Sequence, residues 1–303
     1  MPNTIALKDF PGTADIYRRA IVGMLPVVGK SGKVSPDATL PDTVITLSGV
    51  KVDLDQLAAY CASTGQKFGD TLPLTFPFVL QFPLVMKLLV GKDFPLTAIG
   101  SVHIENTIER FRPIGVTEPL SISTHAENLR EHRKGMLVDV ISEFSVGHEL
   151  VARQTATFLS QQRTSLSGGP RPDAPKDHRP PPPDAKLRAD LGLIRQYAAA
   201  SGDRNPIHMS DLSAKAFGFP RAIAHGMWTA ARVVANVEGQ LSDKVTYTVR
   251  FGKPVILPAT VNVYTQRVDD GDEGGAGTRP SNGFDIAVLN PKKGYPHLTA
   301  TLR

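Results

Sequence analysis

Apolar and polar positions alternate along this chain in the same arrangement twice over. In the first half Val102, Ile104 and Ile108 alternate with polar neighbours ahead of RFRPI at Arg110–Ile114. In the second, Val245, Tyr247, Val249 and Phe251 do the same around RFGKPVI at Arg250–Ile256. More period-two runs follow each: LSISTHAENL and GMLVDVISEFSVGHELVARQTATFLSQ in the first half, TVNVYTQRV, GFDIAVLN and LTATLR in the second. Such alternation predicts antiparallel strands with one buried face. Helical spacing appears once strongly in the second half. Met227, Ala230, Ala231, Val234 and Val237, with Val233 beside them, predict a helix of small apolar residues from His225-Gly226 to about Glu238. Its counterpart is the run LPLTFPFVLQFPLVMKLLV, whose Pro77 and Pro83 are expected to shorten or displace the helix and leave apolar space.

The halves can be laid over one another. Tyr60–Gly65 parallels Tyr197–Gly202, and Phe76-Pro77 parallels Phe219-Pro220, with the first half about six residues shorter between these points. On that alignment Gln66 stands where Asp203 is, Thr71 where His208 is, Phe82 for His225 and Pro83 for Gly226. Internal duplication explains this economically. The expected class is α+β. A long helix embraced by an antiparallel sheet is the hotdog arrangement, so the expected fold is a double hotdog: two sheets, each wrapped round a central helix, forming a pseudo-dimer. Residues 165–185 contain a proline run with hardly any apolar side chains and read as a linker.

Composition narrows the classes of function. The chain has 303 residues, 41% hydrophobic and 21% charged, with net charge +5 and no Lys/Arg block, so a nucleic-acid partner is not expected. A single cysteine, Cys61, excludes an intrachain disulfide and points to a reducing compartment, taken as the cytoplasm. No stretch is long and uninterrupted enough to span a bilayer, and no secretory signal is visible. Residues 15–28 read as an N-terminal helix packed on the core, the alternative being a peripheral membrane contact.

The chemistry concentrates in Tyr197–Asn236. Gly202 can end a helix in a left-handed turn, so Asp203 emerges from it; Asn205 precedes Pro206, which opens a short turn carrying His208. A carboxylate and an imidazole flanking one water can move protons in both directions. Water addition to a double bond conjugated with a thioester builds negative charge on the thioester oxygen. A helix N-terminus supplies donors for that charge, and Gly226 sits at one without a side chain. Ser201, Asn205 and His225 are expected to support the site, His225 as an orienting group. Asp203 before Asn-Pro also fits a plain turn former. Asp203, His208 and His225 are metal-ligand types, but nothing nearby completes a shell, so no metal is expected.

The motif Y-A-x-x-S-G-D-x-N-P-I-H at Tyr197–His208, followed by G-F-P-x-x-I-A-H-G-M at Gly218–Met227, resembles the MaoC-like hydratase signature, including its separation of Asp203 from Gly226. This is the group of (R)-specific enoyl-CoA hydratases and 3-hydroxyacyl-thioester dehydratases. The two-unit layout is similar to its double-hotdog members, and IYRRAIVGMLP near the N-terminus is similar to the mycobacterial ones. The resemblance implies reversible syn hydration of a trans-2-enoyl thioester of CoA or acyl carrier protein in fatty-acid metabolism, without cofactor. It implies that Asp203 and His208 activate the water while the Gly226 N–H polarises the carbonyl. Residues 1–164, whose matching positions lack acid, base and donor, are expected to be a non-catalytic hotdog that accommodates the acyl tail, the alternative being an ordinary filled core, and 186–303 the catalytic one. Arg204, Arg221 and Lys253 are candidate contacts for the substrate's phosphates, with Lys215, Lys292 and Lys293 behind them. One departure is Val234, where some members carry a supporting Ser. Two hotdogs in one chain already supply a pseudo-dimer, so a homodimer is optional. The competing functions are a non-catalytic acyl-CoA-binding hotdog and a hotdog thioesterase.

Overall fold

The structure, a computed structural model, describes residues 3–12, 34–35, 37–96, 100–169, 178–269 and 282–303. The N-terminal run at 15–28, with its IYRRAIVGMLP segment, lies outside the described residues, as does the middle of the proline-rich segment at 170–177.

Among the described residues, alternating positions build eleven strands into one continuous sheet. In chain order they are β1 Asn3–Leu7, β2 Thr43–Val50, β3 Ser101–Arg110, β4 Leu120–His132, β5 Gly135–Val146, β6 Glu149–Gln161, β7 Ala185–Ala189, β8 Val245–Phe251, β9 Ala259–Asp269, β10 Asn282–Leu289 and β11 Pro296–Leu302. Across the sheet they run β1-β2-β4-β5-β6-β3-β8-β11-β10-β9-β7. The order β2-β4-β5-β6-β3 repeats as β7-β9-β10-β11-β8 read from the opposite edge, so the two halves share one topology. They meet where β3 pairs antiparallel with β8, Glu105 opposite Arg250 through Arg110 opposite Val245. An exposed edge strand is a liability because its backbone groups lack partners. Here each half supplies the other's missing neighbour, reinforced by Arg250 Nε donating to Glu105 Oε2 at 2.7 Å. β1 runs parallel to β2, a small departure from an all-antiparallel sheet.

The two short helices at the start of each half are built alike. α1 (Leu54–Thr64) and α3 (Leu191–Ser201) are each capped by an aspartate, Asp53 and Asp190, accepting from first-turn N–H groups. Each ends at a left-handed glycine, Gly65 and Gly202. Such caps satisfy helix-end groups that the helix itself leaves unpaired. Their tyrosines, Tyr60 and Tyr197, meet with ring centroids 5.9 Å apart. The central helix of the first half is α2 (Pro77–Leu89). After α3 the second half adds α4 (Pro206–Met209) and α5 (Asp211–Ala216) before its central helix α6 (Gly226–Val234). Buried side chains from both halves of the sheet and both central helices form one core cluster. No helix among the described residues is long and apolar enough to cross a membrane.

Several expectations are corrected here. α2 is not shortened: it runs straight through Pro83 and is longer than α6, which stops at Val234 rather than Glu238. Pro77 occupies the first helical position, where no N–H is needed. The bond that Pro83 forfeits is offset by burial of eleven of the thirteen residues of α2. The alignment of the halves also shifts. Thr71 bridges Gly115 as Ile223 bridges Ile256. Leu72 N–H donates to the Ile114 carbonyl as Ala224 N–H donates to that of Val255. Pro73 and Leu74 therefore stand where His225 and Gly226 are, while Phe82 and Pro83 lie deep inside α2. Thr71 does not replace His208; the whole α4–α5 excursion lacks a counterpart in the first half. Gln66 and Asp203 do correspond, each following a left-handed glycine. Matching Phe-Pro pairs misled because both halves happen to contain one near the central helix.

The described ends of the proline-rich segment are tied down. Ser165–Gly168 forms a 3-10 turn. Tyr264 Oη donates to the Pro181 carbonyl at 2.7 Å, and Asp184 N–H donates to the Val263 carbonyl at 3.1 Å.

Candidate active site

The turn after α3 positions the carboxylate. Gly202 adopts φ 75°, which a side chain would strain. Asp203 N–H then donates to Ser201 Oγ at 3.3 Å, and Asp203 Oδ1 accepts from the Asn205 N–H at 3.2 Å. The turn-forming role and the outward-facing role thus coexist on one carboxylate. Asn205 accepts from the Ile207 N–H and starts α4, whose third residue is His208.

His208 is 7% exposed, and its Nδ1–H donates to the Ile223 carbonyl at 2.8 Å. A carbonyl can only accept, so the proton is fixed on Nδ1 and Nε2 keeps a bare lone pair. Burial, together with the neighbouring His225 and against the pull of Asp203, lowers the His208 pKa to about 3. It is a neutral imidazole near pH 7. His225 donates from Nε2 to the Asp203 carbonyl at 2.9 Å and stacks on the His208 ring, centroids 3.7 Å apart and 27° from parallel. Tyr197 packs against His225 with ring centroids 5.0 Å apart. Burial also lowers the His225 pKa. His225 therefore bonds the Asp203 backbone and packs on the His208 ring at once.

Nitrogen and oxygen atoms of Asp203, His208 and His225 lie within 4.8 Å of one another, a separation one bridging water can span. These three residues are also metal-ligand types. However, rings stacked face to face hold their in-plane lone pairs in nearly parallel planes, which suits a ligand shell poorly.

Gly226 is the first residue of α6, so its N–H is among the donors the helix leaves unpaired. A Cβ there would lie 2.8 Å from Phe251 Cε1, so only glycine fits. Asp203, Asn205, His208, His225 and Gly226 all line one cavity of about 420 Å³. Trp228, two residues further along, is fully buried and donates from Nε1 to the Ser63 carbonyl at 2.9 Å, joining the halves.

The cavity continues into the first half, where Phe78, Gln81, Phe82, Val85, Met86 and Leu89 of α2 form one wall and Phe158 another. Sequence reasoning missed His103 here. It comes from β3, stacks between Phe158 at 4.9 Å and Phe78 at 6.0 Å, and accepts from Asn106 Nδ2 at 3.4 Å. Burial lowers its pKa to about 4. No local pattern marks it; only the pairing of β3 with β8 carries it to the second half's site. Of the candidate cations, Lys253 lines the cavity, its Nζ 4.1 Å from the Tyr295 ring centroid. Arg221 instead pairs with Asp211 at 3.1 Å, and neither it nor the exposed Arg204 is on the cavity wall.

A profile of the MaoC like domain matches residues 173–280, which include Asp203, His208 and Gly226. 3-Hydroxyacyl-thioester dehydratase X of Mycobacterium tuberculosis is 49% identical over 285 residues, spanning 94% of this chain and 95% of that protein. The crystal structure of HtdX from the same organism superposes with TM-score 0.73 at 46% identity, over 86% of this chain and 99% of that one. A MaoC-like dehydratase from Phytophthora capsici shares the fold at TM-score 0.66 and 18% identity, over 88% of this chain and 95% of its own. With near-complete mutual coverage by so similar a relative, and the signature residues gathered round one cavity on a double hotdog, this chain belongs to the MaoC-like dehydratase family.

Proposed function

We propose that this protein is a hydro-lyase that interconverts trans-2-enoyl and (R)-3-hydroxyacyl thioesters of CoA or acyl carrier protein in fatty-acid metabolism. The observation that carries the reading is a buried His208 whose Nδ1 proton is held on the Ile223 carbonyl, leaving Nε2 bare, gathered with Asp203 on one cavity wall. In hydration, water held between Asp203 and His208 attacks C3. His208 Nε2 takes one of its protons and returns it to C2 on the same face, while the Asp203 carboxylate holds the other hydrogen and steadies the transient imidazolium. The Gly226 N–H meets the charge that develops on the thioester oxygen. Dehydration is the reverse. The name of the M. tuberculosis relative supports this choice of reaction.

The catalytic groups all come from residues 186–303, while α2 and Phe158 give the acyl tail an apolar wall in residues 1–164. Each chain then carries one complete site, and a homodimer is not needed for activity. Lys253 is the favoured contact for the carrier's phosphates, ahead of Arg204 and Arg221, because it alone of the three lines the cavity. The cytoplasm, where such thioesters are handled, is the proposed location.

His208→Ala and Asp203→Asn should each lower kcat for hydration of crotonyl-CoA by roughly 10²–10⁴-fold, with circular dichroism unchanged. Near-native turnover in either would remove the mechanism. Acyl-CoA binding without any loss of enoyl absorbance in the native protein would instead indicate a binding module, and release of free thiol a thioesterase.

A further inference from the structure

The cavity wall holds a buried polar side chain for which hydration chemistry has no use. Gln81, on α2, is 1% exposed, and neither its Oε1 nor its Nε2 has a hydrogen-bond partner among the described residues. Buried Gln66 and Gln154 each satisfy one end of the amide, Gln66 from Thr75 Oγ1 and Gln154 to Asn106 Oδ1, and neither lines the cavity. Gln81 alone has both ends open and faces it. Its neighbours on that helix face, Phe78, Phe82 and Val85, are apolar.

Leaving a buried donor or acceptor unsatisfied costs about 1–3 kcal/mol, and natural interiors seldom accept it. A leucine or methionine here would line a tunnel for a plain hydrocarbon tail at no such cost. Water entering the cavity of the free protein can partner the amide, but a plain alkyl tail displaces that water and strands both ends, whereas a tail that carries an oxygen does not. We propose that Gln81 recognises an oxygen carried part-way along the acyl tail, so that the substrate is a chain hydroxylated beyond C3 rather than a plain one. This rests on the thioester reading above. A hydroxyl suits an amide best, since it can donate to Oε1 or accept from Nε2.

Helix geometry places the oxygen. Phe78 stacks on His103, whose ring packs against Phe251, the residue that abuts Gly226, so Phe78 marks the reacting end of the cavity. Gln81 lies three residues further, roughly 4.5 Å along the axis, and Val85 and Leu89 continue the wall beyond it. The oxygen thus falls in the middle of the tail, with more alkyl chain after it.

The test is calorimetric binding of saturated acyl-CoAs of equal length, plain or hydroxylated at single carbons from about the sixth to about the tenth. Saturated chains cannot be hydrated, so the readout is independent of the reaction. Wild type should bind one hydroxylated isomer about tenfold or more tighter than the plain chain. The ratio should fall to about one in Gln81→Met and in Gln81→Leu. Equal affinity of wild type for plain and all hydroxylated chains overturns the proposal while leaving the thioester reading intact, and needs no variant to fold. A preference that persists in both variants overturns it too. Failure to bind any acyl-CoA removes the proposal and the thioester reading together.

Discussion

Gly226→Ala separates the two demands made on the start of α6. The added Cβ would lie 2.8 Å from Phe251 Cε1 and 2.9 Å from Cδ1, against an ordinary contact of at least 3.4 Å. Relief needs about 0.6 Å of movement, and overpacking on this scale costs about 1–3 kcal/mol. Phe251 cannot yield freely, because it ends β8 and its ring packs against His103 at 5.0 Å. The helix start must share the displacement. An oxyanion donor works only within about 2.7–3.1 Å of its target, a window narrower than that shift, and losing one donor costs about 2.7–4 kcal/mol. Hydration of crotonyl-CoA, followed by loss of enoyl absorbance, should therefore fall about 10²–10³-fold in kcat. The melting temperature should drop by roughly 2–4 °C per kcal/mol of strain. In Gly226→Ala/Phe251→Leu the clash is relieved, so the melting temperature and part of the rate should return. A single variant that melts lower yet turns over within about threefold of wild type would mean that the amide position is not what drives the reaction.

Two further outcomes follow from burial. Burial holds the pKa of His208 at about 3 and of His103 at about 4, and lowers that of His225, so each binds its proton more weakly folded than unfolded. The stability this confers is complete above the unfolded value of about 6.5 and is lost as pH falls through the window from there toward 3–4. Urea midpoints measured from pH 7 to pH 4 should decline steadily, and a flat profile would contradict the assignment. Trp228→Phe strands the Ser63 carbonyl in the core between the halves. It should cost about 1–3 kcal/mol in denaturant titrations, and a change under about 0.5 kcal/mol would show that this bond does not hold the halves together.

The sequence alone determined what depends on short-range chemistry. Period-two alternation gave the strands because a half-buried sheet demands it. The glycine after Ser201 and the proline after Asn205 gave the turn that presents Asp203 and His208, since backbone angles there are set by those residues alone. Small apolar residues at helical spacing gave α6, and the signature gave the family. What required the tertiary structure was everything set by partners distant in the chain. The halves meet through β3 and β8, whose edge groups have no local reason to choose each other. That pairing alone brings His103 to the site, and the fold alone turns the α2 face with Gln81 toward the cavity. The fate of Pro83 was likewise a tertiary matter: local propensity breaks a helix at proline, but burial of the residues around it holds α2 together. The protonation of His208 was settled the same way, by a carbonyl fifteen residues later that the sequence does not mark.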